Sequence, residues 1–116
     1  MKIILTGEPR SVNNIYKYHC KFGFPSGYMS AEGRALKEDY GWQAKSQWKG
    51  KPLKGSVEVS VGLYFKSKIH HDIDNYGKLL FDSLTGIAYE DDKQIEKMIV
   101  SKYHSKDNPR IEIEVH

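Results

Sequence analysis

The sequence predicts a small α/β (α+β) domain in which two main helices pack on a mixed β-sheet. Apolar and polar residues alternate over residues 57–65 and 110–115, which is typical of strands with one buried face. Apolar residues recur at every fourth position within residues 31–48, which indicates an amphipathic helix. The predicted elements follow the order β, loop, α, β, α, β, β, so strands and helices belong to one layered unit.

The N-terminal half begins with a β-prone segment at residues 2–5. Residues 7–29 contain three glycines and two prolines, and we expect them to form a long, partly irregular segment. The helix predicted over residues 31–48 has Ser30 at its N-cap. Its apolar stripe consists of Leu36, Tyr40, Ala44 and Trp48.

The C-terminal half contains the second helix and three strands. Residues 57–65 form the first of these strands, and residues 95–103 and 110–115 form the others. The helix is predicted over residues 75–85, and Gly86 suits its C-terminal end. Its apolar side consists of Tyr76, Leu79, Leu80 and Leu84.

Length and composition limit the classes of protein that are possible. A chain of 116 residues and 13.4 kDa predicts one domain over residues 1–116. No apolar run approaches the ~20 residues that span a bilayer, and the N-terminus lacks a signal-peptide pattern. The single cysteine, Cys20, excludes an internal disulfide and a cysteine-built zinc site. We therefore expect a cytoplasmic protein with no membrane partner.

Charge is divided unevenly along the chain. Residues 72–96 hold seven acidic residues and two lysines, a formal charge of −5, whereas the remainder carries +8. A basic surface suits a polyanion such as DNA, and clustered carboxylates suit a hard cation. Two solvated faces of opposite sign are the alternative interpretation of the same pattern.

Four aspartates in the centre of the chain carry the main chemical signal. Asp72 and Asp74 are two residues apart on an extended segment, so they project to the same side. Asp91 and Asp92 follow in a turn before the next strand. Donor sets made only of oxygen suit Mg²⁺ or Mn²⁺, and such a cation beside phosphate polarises the phosphoryl oxygen and helps to generate hydroxide.

Ordinary local roles are the competing interpretation of these aspartates. Asp74 or Asn75 would cap the helix that follows, and one member of the later pair would stabilise a turn. Neither role accounts for Asp72. Lys78 lies in the first helical turn, where a cation opposes the helix dipole, and a residue placed against local preference hints at function. The residues alone leave a metal site and simple capping as alternatives.

The central motif resembles the RusA family of Holliday-junction resolvases, small endonucleases often carried by phages and prophages. The family pattern is D-x-D-N, a lysine three residues later, an aspartate four further on, and D-D-x-Q shortly before a strand. The matching residues are Asp72, Asp74, Asn75, Lys78, Asp82 and residues 91–94. "SVNN" at 11–14 and "SAEG" at 30–33 also match, and Tyr89 stands where the family has an aromatic residue, often Trp.

The resemblance implies a homodimeric, Mg²⁺-dependent endodeoxyribonuclease, with Mn²⁺ as a substitute. It would resolve four-way DNA junctions by symmetric paired nicks in recombination and repair. Asp72, Asp74 and Asp92 would be the catalytic carboxylates and metal ligands, and Lys78 the essential lysine. The resemblance leaves open whether Asp91 or Asp92 is the principal ligand of the pair.

Basic and aromatic residues around the motif are expected to contact DNA. The predicted set is Arg10, Asn13, Asn14, Tyr16, Lys17, Lys66, Lys68, His70, His71 and Asn75. Local packing and solvated lysines are the alternative for each of them. His70 and His71 have no partners at a zinc-binding spacing, and Cys20 has no adjacent base that would make it a nucleophile.

Two other functions remain compatible with the sequence. A non-catalytic nucleic-acid-binding module would bind junctions without Mg²⁺-dependent cutting, although every acid of the motif is present. A less selective Mg²⁺ nuclease would cut forks or flaps as well as junctions.

Overall fold

The computed structural model describes residues 1–10, 16–21, 24–29, 31–67 and 76–116, with the backbone alone for 16–21, 24–29 and Lys78. The strands are β1 (Lys2–Thr6), β2 (Tyr16–Lys21), β3 (Phe24–Met29), β4 (Val57–Phe65), β5 (Ile95–His104) and β6 (Arg110–Val115). The helices are α1 (Ala31–Gln47) and α2 (Gly77–Leu84), and a 3₁₀ turn covers Asp92–Gln94.

A four-stranded mixed sheet organises the described chain. Its order is β1-β6-β4-β5; β6 is antiparallel to both β1 and β4, whereas β4 and β5 are parallel. The two helices pack against each other, and α1 also packs on β1. The predicted α+β class, a mixed sheet with two helices, is confirmed. No helix among the described residues is both long and apolar enough to cross a bilayer.

The expectation for residues 7–29 was wrong in part, because this segment contains the β2–β3 hairpin. The two strands pair antiparallel from Tyr16 opposite Met29 to Lys21 opposite Phe24. The sequence does not indicate β3 as a strand, because Pro25 and Gly27 both weaken a β pattern. Proline is tolerated here because both members of a two-stranded sheet are edge strands. The predicted cap Ser30 lies outside the described residues.

The core lies between the helices and one face of the sheet. The five apolar residues of β4 that alternate from Val57 to Phe65 are each at most 4% exposed, as the sequence predicts. Ile3 and Leu5 of β1 and the apolar positions of β6 continue this buried surface. The helices cover it with a set of side chains that includes Tyr40, Ala44, Leu79, Leu80 and Leu84.

Helix α2 begins at Gly77, two residues later than the sequence predicts. Tyr76 occupies the N-cap position without a side-chain capping bond, and its ring meets Phe65 edge-on with centroids 5.3 Å apart. Lys78 therefore lies in the first turn of the helix, as expected. The capping role considered for Asp74 and Asn75 falls on residues outside the described ranges.

The opposite face of the sheet is open to solvent and carries polar and aromatic residues. Lys2 and Arg110 each form an ion pair of 2.7 Å with Glu112, and Lys2 holds the pKa of that carboxyl below its usual range. The Arg110 guanidinium lies 3.8 Å from the ring centroid of Tyr64, which stacks on Tyr103 at 4.8 Å. Charged and amphipathic groups thus replace a second apolar layer on this face.

Helix α1 seals the outer edge of β1 with two glutamine side chains. The Ile4 amide donates to Gln47 Oε1 at 2.8 Å, and Gln47 Nε2 donates to the Ile4 carbonyl at 2.7 Å. The Thr6 amide donates to Gln43 Oε1 at 2.8 Å. These side-chain amides satisfy backbone groups that an edge strand otherwise leaves available to another chain.

Tyr89 connects the end of α2 to the core. Removing its hydroxyl group tests how much this connection contributes to stability. Its fully buried hydroxyl donates to the Phe81 carbonyl at 2.7 Å. We expect Tyr89→Phe to lower the free energy of unfolding at pH 7 by about 0.5–1.5 kcal/mol, measured by urea unfolding. Tyr103→Phe, on the half-exposed Tyr103, is the matched control and should change stability little.

The same variant also tests the alkaline behaviour of the fold. Burial raises the pKa of Tyr89 above its ordinary value, and burial raises the pKa of Tyr40 to about 12. The native state keeps these protons where the unfolded chain loses them, so stability falls as the pH rises above about 10. Tyr89→Phe should make this fall shallower without abolishing it, because Tyr40 remains. An unchanged slope would contradict this assignment.

Candidate metal and nuclease site

Three aspartates from two parts of the chain lie together at the start of β5. Asp82 is on α2, whereas Asp91 and Asp92 belong to the turn that leads into β5. The chain returns from α2 through a β-bridge between Thr85 and Tyr89. This tight return brings the later aspartates back beside α2.

The turn is built as a capping box in which Asp91 and Gln94 satisfy each other's backbone. The Asp91 carboxylate accepts a hydrogen bond from the Lys93 amide at 2.9 Å. Gln94 Oε1 in turn accepts from the Asp91 amide at 2.9 Å. The local role that the sequence suggested for one member of the pair is therefore filled by Asp91.

The Gln94 side chain ties this turn to the connector before β4. Its Oε1 accepts from the Glu90 amide at 2.8 Å as well as from Asp91. Its Nε2 donates to the Leu53 carbonyl at 2.9 Å and to the Gly55 carbonyl at 2.8 Å. The Gln94 side-chain amide thus uses both of its N–H donors and both acceptor positions of its oxygen. These bonds hold the turn that contains Asp91 and Asp92, here called the acidic turn, in place.

The pKa values of the two adjacent carboxyls, Asp91 and Asp92, are shifted in opposite directions. The backbone amide of Lys93 holds the pKa of Asp91 below its usual range. The pKa of Asp92 is raised, chiefly by its interaction with the Asp91 carboxyl, then by partial desolvation and by the charge of Asp82. Crowded carboxylates repel one another, and a bound cation would relieve that repulsion.

Oxygen donors of this type fit a hard divalent cation. Within the ranges that the structure describes, no group of three or more His, Cys, Asp or Glu residues has the arrangement to hold a metal ion. Two of the predicted ligands, Asp72 and Asp74, lie outside those ranges.

The structure describes only some of the predicted DNA contacts. Arg10 is exposed, and its Nη2 lies 3.6 Å from Glu32 Oε2. Lys66 is also exposed, and its backbone amide donates a hydrogen bond to Glu8 Oε2 at 2.9 Å. Tyr16 and Lys17 lie on β2, where the backbone alone is described. The predictions outside the described ranges are Asn13, Asn14, Lys68, His70, His71 and Asn75.

Sequence reasoning assigned no role to several residues around this site. In the sequence, Asp82 and Gln94 are only positions of the family motif and have no assigned role. Their spacing within that motif is the signal that could have identified them. Arg34 and Lys37 of α1 line a surface cavity of about 480 Å³ together with Asp82. Their three-residue spacing places both bases on one side of the helix, which is the signal that a charge count alone overlooks.

Clustered carboxyls beside a helix are compatible with several kinds of site, so the class of protein comes from comparison with known families. Residues 7–116 match the model of Endodeoxyribonuclease RusA. The chain therefore belongs to the RusA family of endodeoxyribonucleases, which hydrolyse phosphodiester bonds of DNA.

A shorter match relates the chain to a Bacillus subtilis (strain 168) protein, the uncharacterized protein YqaN. The two are 43% identical over 42 residues, which is 36% of this chain. The matched segment spans 29% of that relative, less than a third of its length.

Gln94→Ala tests whether one amide organises the acidic turn. We expect amide hydrogen exchange at Glu90 and Asp91 to become at least about tenfold faster, because both amides lose their acceptor. Gln43→Ala is the matched control, since it should accelerate exchange at Thr6 and leave the turn unchanged. Unchanged protection at Glu90 in Gln94→Ala would show that the backbone alone maintains the turn.

Proposed function

We propose that this protein is a Mg²⁺-dependent, structure-specific endodeoxyribonuclease that resolves four-way DNA junctions by symmetric paired nicks. The observation that carries the proposal is the match to the RusA family over residues 7–116, nearly the whole chain. The juxtaposition of Asp82, Asp91 and Asp92 beside α2 supports it from the described structure. Recombination and repair are the processes that need such an activity.

Asp72, Asp74 and Asp92 are the proposed metal ligands. Between the adjacent aspartates we favour Asp92, because the Asp91 carboxylate already accepts the Lys93 amide. A bound Mg²⁺, with Mn²⁺ as a substitute, would supply Lewis acidity at the phosphate. Asp82 places a further carboxyl beside Asp92, and Gln94 fixes the turn that carries Asp92.

Positive charge around the acidic site would hold the DNA backbone. Lys78 lies one helical turn from Asp82, at i and i+4, so its ammonium is proposed to offset charge on the phosphate or the leaving oxygen. Arg34 and Lys37 share a cavity with Asp82 and extend the proposed phosphate path across α1. Arg10 and Lys66 are exposed bases that fit the same role.

Two symmetric cuts require two sites, so the proposed active form is a homodimer. Each copy would contribute one acidic site formed by its own crossover between β4 and β5. The domain assignment over residues 1–116 and a cytoplasmic location belong to the same proposal.

Substitution of the proposed ligands separates cutting from binding. We expect Asp72→Asn, Asp74→Asn and Asp92→Asn to lose cleavage of a four-way junction in Mg²⁺ while they retain junction binding. Each change removes a ligand charge but no phosphate contact. Single-turnover cleavage and gel-shift titration measure the two properties, and Asp107→Asn, in the exposed loop before β6, is the control.

The choice of substrate in this assay tests the activity against its alternatives. Wild-type protein should cut four-way junctions faster than forks, flaps or linear duplex at equal concentration. Comparable rates on all of them would identify a less selective nuclease. Junction binding without cutting would identify a binding module and overturn the proposed activity.

Lys78→Ala distinguishes a catalytic role of Lys78 from a purely structural one. A cation in the first turn opposes the helix dipole. We therefore expect the free energy of unfolding of Lys78→Ala to stay equal or to rise by about 0.3–1 kcal/mol, measured by thermal unfolding. Cleavage should nevertheless fall strongly, and Lys78→Arg should not restore it fully, because a planar guanidinium places its charge differently. A stable Lys78→Ala protein that cuts as fast as the Lys106→Ala control would leave Lys78 without a catalytic role.

A further inference from the structure

The two edges of the four-stranded sheet differ in how their backbone groups are treated. Gln43 and Gln47 cover the outer edge of β1. Strand β5 forms the other edge and, among the described strands, pairs with β4 alone. From Ile95 to Ser101, the described residues place no comparable side-chain amide along its outer edge.

Strand β5 has the properties of an edge that receives another strand. It runs for ten residues without proline, and Met98, Ile99 and Tyr103 are each more than half exposed. Exposed apolar edge strands pair readily with other chains unless they are interrupted, charged or covered, and the central residues 98–100 of β5 carry no charge. Parallel strand pairs are also normally buried on both faces, whereas most residues of β5 are exposed.

We propose that β5 pairs antiparallel with β5 of a second copy, about a two-fold axis at Ile99, to form a continuous eight-stranded sheet. In this register Ile99 lies opposite itself, and each Glu96 lies opposite Lys102 of the second copy. Met98 then lies opposite Val100. This inference rests on the proposed homodimer and identifies the surface that forms it.

Charge complementarity selects this register from its neighbours. A two-fold axis normal to the sheet keeps opposed side chains on the same face only when it passes through a residue, so the neighbouring registers are centred on Met98 and Val100. Centring the axis on Met98 places Glu96 opposite Val100. Moving it to Val100 places Met98 opposite Lys102. Of these three registers, only the one centred on Ile99 places Glu96 opposite a lysine, which gives two opposite-charge pairs per dimer. Lys102 makes another contact within its own chain, but an ammonium group has three donors and can also bind a carboxylate.

The proposed pairing has a consequence for the two acidic sites. An axis normal to the sheet leaves the helix layers of both copies on the same side. Asp92 interacts with Asp82 of α2 and so belongs to that side in each copy. Both sites would therefore face one DNA molecule, as paired cutting requires.

Disulfide trapping tests the register directly. In a Cys20→Ser background, Ile99→Cys should cross-link to its own copy under oxidised glutathione, because opposed antiparallel residues have Cα atoms about 4.5–5.5 Å apart, within disulfide range. Ser101→Cys is the matched control on the same face. Its copies would be four residues out of register, about 13 Å apart, and should remain uncross-linked.

Charge reversal tests the pairing without a covalent bond. We expect Glu96→Lys to raise the dimer dissociation constant about tenfold or more, measured by sedimentation at low salt, because it creates two like-charge pairs. Adding Lys102→Glu should restore most of the affinity by reversing both signs. Ile4→Lys, on the opposite edge strand, is the control that should leave the dimer intact.

Each outcome decides either the interface or the dimer. A wild-type dimer that fails to cross-link through Ile99→Cys, or that tolerates Glu96→Lys, would overturn the β5 interface. A wild-type monomer at micromolar concentration would overturn the dimer as well. Because these measurements need neither DNA nor Mg²⁺, they are independent of whether the nuclease proposal fails.

Discussion

Parallel pairing of β4 with β5 is the constraint on which the rest of the described structure depends. Parallel neighbours cannot be joined by a tight turn, so the chain must cross back over the sheet before the second strand begins. Residues 66–94 make that crossover and include α2 and the acidic turn. The link that this topology requires is therefore also the segment that carries the candidate chemistry.

Two adjacent aspartates in the crossover have acquired different roles because their surroundings differ. A backbone amide occupies the carboxylate of Asp91, whereas Asp92 faces other carboxyls and has a raised pKa. The turn can tolerate this crowding because its position is set by the uncharged Gln94 amide. Neutral hydrogen bonds supply the geometry, which leaves the negative charge available for a ligand.

The sequence predicted those elements whose periodicity is local. Alternation in β4 and β6 and the apolar stripe of α1 reflect burial on one face, and the structure confirms them. The β2–β3 hairpin was not predicted, because Pro25 and Gly27 interrupt the pattern of β3. The roles of Asp82 and Gln94 were also missed, since each depends on where the chain returns after α2. The predicted ligands Asp72 and Asp74 remain predictions.

The glutamine seal on β1 has a further consequence for assembly. A sheet with two open edges can add copies head to tail without limit, which produces filaments rather than closed oligomers. Here α1 covers one edge with the amides of Gln43 and Gln47. Growth would thereby be confined to the β5 edge, where the proposed symmetric pairing uses the same edge of both copies. Such an assembly ends at two chains, so a pair of helix-borne amides would protect a DNA-processing protein against fibre formation.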